Sequence, residues 1–154
     1  KGELAADVLA SASQREVDAL GAALRGAGDP AQRLAAGIRQ FAARAWHSRR
    51  LAFALIAEPV DPEVDEQRLL YREAYAELFI ELLEEGRVAG VFRLHSASLI
   101  AACLVGAIAE SMVGPLSPPA RAAREAGYPV LTLEDVTEGL VSFCLRAVGA
   151  KEPF

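Results

Sequence analysis

Residues 95–114 read HSASLIAACLVGAIAESMVG, and the use to which this apolar length is put decides the fold. It could span a bilayer, fill a core, or be shared with a partner. From Ala97 to Val113 the polar interruptions are Ser98, Glu110 and Ser111. At 1.5 Å per residue that run is roughly 26 Å long, short of the ~30 Å hydrocarbon thickness. Alanine and glycine supply much of it and insert weakly, and a glutamate inside a span is costly. Every other helical pattern in the chain is amphipathic and charged, so no membrane role is expected. A helix apolar all round in water must be covered on every side. It is either buried at the centre of a single domain or covered by its own domain on one face and by a second subunit on the other. The similarly apolar last helix suits the second, a four-helix interface in a symmetric dimer.

Two rows divide this helix. Ile100, Leu104, Ala107, Ile108 and Ser111 form one, and Leu99, Cys103, Gly106 and Glu110 form the other. Small residues at Ala97, Ala101, Ala102, Gly106 and Ala107 permit close helix approach. The first row is read as facing the partner, with the second as the alternative.

The rest of the chain is helical in the same way: its 154 residues are 53% hydrophobic, rich in alanine and only 6% aromatic, a composition that favours helix over sheet. The net charge of −5 argues against nucleic-acid binding by general electrostatics. Cys103 and Cys144 both sit in apolar helical patterns and read as buried free thiols of a reducing cytoplasm. The opening KGELAADVLA has no signal-peptide layout. It enters an amphipathic pattern without a capping residue, so the natural sequence is expected to continue upstream.

Helical spacing of Leu4, Val8, Val17, Leu20 and Leu24 predicts a first helix over 3–25, ended by Gly26 and Gly28. Asp29-Pro30 caps a second to about His47, with Leu34, Ile38, Phe41 and Ala45 on one stripe. A short helix spans 49–57. Asp61-Pro62 then opens a long one to about Glu85, its acidic first turn suited to the helix dipole and its apolar face carrying Leu70, Tyr71, Ala74, Tyr75, Leu78, Phe79 and Leu82. The opening run occupies about 96–113, and GPLSPPARAAREAGYP reads as a loop with at most one helical turn. Thr132 and Asp135 form a capping-box pair for the last helix, which Gly149 ends. The reading is all-α, with six main helices and no strand.

Chemistry-bearing motifs are missing. His47 and His95 lack the Glu-x-x-His spacing of a di-metal bundle, and phosphate loops, nucleophile elbows and CxxC pairs are absent. No catalytic residue, metal or cofactor is expected.

Three stretches carry a family resemblance. KGELAADVLA looks like the long helix that follows the DNA-recognition helix of TetR-family repressors. RRLAFALIAEPVDPEVDEQRLLYREAYAELF resembles their short helix, proline-containing turn and long helix. SLIAACLVGAIAESMVGPL with TLEDVTEGLVSFCLRAV looks like their paired dimerisation helices. The resemblance covers essentially the whole chain, 1–154, as one effector-binding and dimerisation domain. It implies a helix-turn-helix upstream through which alone operator DNA is met, a homodimer in the cytoplasm, and a small, largely apolar effector whose binding releases the operator.

A pocket of that kind is apolar and aromatic with a few polar groups. Trp46, Phe53, Tyr71, Tyr75 and Phe79 are its candidates, each alternatively plain core. Tyr75 gains because a buried phenol needs a hydrogen-bond partner. Glu110 is either a pocket acid or a carboxylate at the dimer rim. Cys103 is either a pocket thiol or a small core residue. His47 reads as a helix-end cap, Arg49-Arg50 as a solvated pair, and Arg68, Arg72, Glu73 and Glu77 as an exposed charged face. For the dimer the candidates are Ile100, Leu104, Ile108, Leu140, Cys144 and Val148. A helical interaction module without a small ligand is the alternative function, and a cofactor-free helical enzyme is the third.

Overall fold

The computed structural model describes residues 2–151, with side chains from residue 6 onward. Lys1 and the side chain of Leu4, both used above, lie outside the described residues. Seven helices follow in order: α1 Gly2–Leu24, α2 Pro30–His47, α3 Arg49–Ile56, α4 Pro62–Val88, α5 Ala97–Leu116, α6 Pro118–Glu125 and α7 Leu133–Ala147. No strand occurs among the described residues. The all-α reading stands.

Local chemistry starts the helices where the sequence suggests. Asp29 accepts from the Gln32 amide at 2.9 Å, and the Gln32 side chain accepts from the Asp29 amide at 2.9 Å, which satisfies two donors the helix start leaves free. Thr132 and Asp135 repeat the exchange before α7 at 3.1 and 3.0 Å. Ser96 accepts from Leu99 N and opens α5.

Residues 114–129 depart from the expected loop. Helix α5 runs on through Gly114 and Pro115 to Leu116. A proline this close to a helix end removes few ladder bonds, and the Ser117 hydroxyl donates to Gly114 O at 2.7 Å. Ser117 then caps α6, a full eight-residue helix with prolines at its opening positions, where their missing N–H groups cost nothing.

Five helices close a ring, α1 against α4, α4 against α5, α5 against α7, α7 against α2, and α2 back against α1. Helix α3 bridges α2 and α5, and α6 packs on α5. Leu34, Ile38, Leu83, Leu104, Met112 and Val148 sit at the centre of the shared core.

The burial of α5 corrects the sequence reading. Ala97, Ala101, Leu104, Ile108, Met112 and Leu116 are buried inside the chain's own core. The opposite row is open, with Leu99 63% exposed and Cys103, Ala102 and Glu110 also exposed. Although α5 is long and apolar enough to cross a membrane, with a mean hydropathy of 1.9, one face serves the bundle. The residues expected at the dimer face therefore belong elsewhere. Leu104, Ile108, Leu140, Cys144 and Val148 are buried within the protomer and Ile100 is half-buried against the same core. Leu104, Ile108, Met112 and Leu116 face inward with Ala97 and Ala101, whereas Leu99, Ala102, Cys103 and Glu110 face out. On α7, Phe143 is 58% exposed, one row away from buried Leu140 and Cys144.

Candidate functional site

An apolar cavity of about 110 Å³ lies between α1, α2, α3, α4 and α5. Each wall follows from an amphipathic stripe that the ring turns inward. From α1 come Ser13, Glu16 and Leu20, and from α2 come Ile38, Phe41, Arg44 and Ala45. Helix α3 roofs it with Leu51, Ala52, Leu55 and Ile56. Helix α4 supplies Arg68, Tyr71, Arg72, Tyr75 and Phe79, and α5 supplies Val105, Ile108 and Ala109. Leu51, Arg44 and Arg72 are exposed, so the mouth opens past them.

The aromatic floor is ordered. Phe41 and Tyr75 meet edge-to-face, with centroids 6.1 Å apart at 85°, a geometry ring quadrupoles favour. The Tyr75 phenol is pushed well above its ordinary range, chiefly by burial and secondarily by Glu16 and Tyr71, with Arg44 opposing. It is a neutral hydroxyl at any physiological pH.

The charged groups of the wall are unequal. Arg44 donates through Nε to Glu16 Oε2 at 2.8 Å and through Nη2 to Oε1 at 2.9 Å. That fork holds the Arg44 pKa above its usual value, first by hydrogen bonding and then by charge. Arg68 reaches over to α3, where its Nη2 donates to Ala54 O and, at 2.6 Å, to Glu58 O, carbonyls at the negative end of that helix. Its Nη1 is 3.9 Å from Asp65 Oδ1, and its Nε is buried without a hydrogen-bond partner.

Of the candidate ligand residues, Tyr71, Tyr75 and Phe79 come together on the cavity wall. Trp46, Phe53, Cys103 and Glu110 do not. Trp46 lies under the Arg124 guanidinium, 4.6 Å from Cζ to the ring centroid, on the side held by α6. Phe53 faces a separate shallow groove with Arg50, Glu58, Pro118 and Arg121. Cys103 is an exposed free thiol and Glu110 is exposed, both on the outward row of α5. Of the two readings of Glu110, the surface carboxylate fits its exposure and the pocket acid does not. Of the two thiols expected to be buried only Cys144 is, its pKa pushed up to about 12 by burial. Arg49 donates to Trp46 O at 3.4 Å, and His47 is exposed at the end of α2. Among the described residues no group of three or more His, Cys, Asp and Glu is gathered as a metal would need.

Glu16, Phe41, Arg44 and Arg68 are wall residues that sequence reasoning passed over. A signal existed for α4. Positions 68, 71, 72, 75 and 79 recur at helical spacing on one face, so Arg68 and Arg72 share the aromatic stripe, Arg68 half-buried and Arg72 exposed at the mouth. For Glu16 and Arg44 no local pattern announces a pair between two helices.

No curated protein and no solved structure matches the chain. Residues 27–113 do match the family described as tetracyclin repressor-like, C-terminal domain. That span runs from the turn before α2 through most of α5 and takes in four of the five cavity walls. More than half of the chain is matched and the fold is all-helical, as this family's is. The chain thus belongs to the tetracyclin repressor-like C-terminal domain family, a family of transcription regulators.

Proposed function

We propose that this chain is the effector-binding and dimerisation part of a ligand-responsive transcriptional repressor, acting in the cytoplasm and meeting operator DNA through a helix-turn-helix upstream. The observation that carries the reading is that α1 forms one wall of the cavity through Ser13, Glu16 and Leu20. In the family resemblance, α1 is the helix that leads to the DNA-reading head. A ligand that binds one arrangement of α1 better than another shifts the population of that arrangement by its differential affinity, tenfold for each 1.4 kcal/mol. Membership of a regulator family and an apolar cavity with polar groups at its mouth support the same role.

The homodimer would form on the outward rows of α5 and α7, where Leu99 and Phe143 stand exposed. Gly106 and Gly139 have open space where a side chain would be, so a second backbone could approach closely. An interaction module with no small ligand would use the same rows, but it leaves the cavity without a purpose.

Thermal unfolding with a panel of small aromatic compounds tests the effector reading. A raised Tm that Val105→Phe abolishes supports it. A flat response across the panel transfers the reading to the interaction module. Light scattering tests the dimer, and a clear monomer at micromolar concentration removes that part.

A further inference from the structure

Taking the cavity as the effector site, on which this inference rests, we propose that its ligand is a small carboxylate, with the acid at Arg68 and Arg72 and the apolar body against Tyr75 and Phe79. The polar groups of the wall decide the sign of the charge. Glu16 is the one acidic side chain on it, and Arg44 already holds both of its oxygens. Arg68 has spent Nη2 on the carbonyls of Ala54 and Glu58 and has Asp65 Oδ1 3.9 Å from Nη1, while its Nε–H is buried without an acceptor. The Arg72 side chain makes no hydrogen bond or ion pair with any described residue, and it stands four residues from Arg68, on the same helix face.

A buried donor without an acceptor is costly, and guanidinium groups match a carboxylate's two oxygens. The unmet need at this mouth is thus for acceptors carrying negative charge. A cationic ligand would face two arginines with no free carboxylate, since Glu110 lies outside on the far row of α5. An alcohol would satisfy one N–H and leave the Arg72 charge uncompensated. Size sets the apolar part: about 110 Å³ is somewhat below the ~150 Å³ of an engineered apolar cavity that takes benzene. A single ring or a short alkyl chain fits if its acid sits at the open mouth.

The test titrates benzoate, benzyl alcohol and benzylamine separately into the full chain by calorimetry at neutral pH and constant ionic strength. Benzoate is expected to bind at least tenfold more tightly than the alcohol, with the amine weakest. Arg72→Gln, at an exposed position that the fold tolerates, should lower benzoate affinity about tenfold and leave the alcohol unchanged. Arg68→Gln should act in the same direction, with circular dichroism checking that α3 persists. Val105→Phe should abolish binding of all three. If the alcohol or amine binds as well as benzoate, and Val105→Phe removes that binding, the cavity stands and the carboxylate proposal is overturned. If no probe binds, or binding ignores Val105→Phe, the effector reading itself fails and takes the proposal with it.

Discussion

Glu16 and Arg44 join α1 to α2 across 28 residues of chain, through paired hydrogen bonds of 2.8 and 2.9 Å at the edge of the cavity. The pair ties α1 to the α2 wall of the cavity. Its side chains are 25% and 43% exposed, so water screens much of the attraction.

Glu16→Gln is accordingly expected to lower stability by no more than about 1 kcal/mol. In urea melts the deficit should shrink at about 1 M salt, where the Debye length falls to about 3 Å. The same change frees the Arg44 guanidinium at the mouth, so benzoate affinity should rise. An unchanged or weaker affinity would mean that Arg44 does not face the bound acid.

Gly86→Ala sets two effects against each other. Alanine in a helix interior is worth up to about 1 kcal/mol over glycine. A Cβ at Gly86 would lie 2.1 Å from Phe92 Cδ2, and Phe92 is itself enclosed at 2% exposure. Overpacking of this kind costs about 1–3 kcal/mol, so the net change should be destabilising. In a Phe92→Ala background the clash is gone and Gly86→Ala should turn favourable. Denaturant melts of the four proteins in this cycle read the reversal.

The outward rows of α5 and α7 can be separated from the core by substitution. Leu99→Asp and Phe143→Asp should leave helix content unchanged yet give monomers by light scattering. Leu104→Ala, at a residue 1% exposed, should instead cost about 2–5 kcal/mol of stability. Thiol labelling adds an independent measure. If the proposed dimer covers this row, Cys103 should react slowly in the wild-type protein and quickly in Leu99→Asp, while Cys144, its thiol pushed up to about 12 by burial, should stay unreactive until the chain unfolds. Equal labelling of Cys103 in both proteins would place the subunit contact elsewhere.

The start of α7 carries an acid-sensitive contribution. Hydrogen bonds from the Thr132 backbone and side chain hold the Asp135 carboxyl below its ordinary value. Its folded pKa then lies under the unfolded value of about 3.9. The stabilisation is present above roughly pH 4 and is lost as pH falls through the folded value. Asp135→Asn should flatten that part of the acid limb of the stability curve. Thr132→Ala should cost about 1 kcal/mol near neutral pH by removing the cap.

The sequence by itself determined the helices and most of their starts, because caps, prolines and the 3.6-residue period act within a few residues of one another. Asp29 and the Thr132–Asp135 pair begin helices through their side chains, and Pro62 begins α4 through its fixed φ angle, the Asp61 side chain making no capping hydrogen bond. It also contained the aromatic stripe Tyr71, Tyr75, Phe79. Residues 114–129 were harder: four prolines and two glycines read as a break, whereas Ser117 caps a helix that uses Pro118 and Pro119 at its first positions. Only the tertiary structure decided which row of α5 turns inward. Both rows of that helix are apolar, so periodicity gives no preference, and the choice rests on which side chains fill the ring of α1, α4, α5, α7 and α2. The same packing took Trp46 and Phe53 off the cavity, exposed Cys103 and Glu110, and brought Glu16 to Arg44 and Arg68 to the end of α3. Contacts between distant helices depend on crossing geometry, which no local pattern encodes.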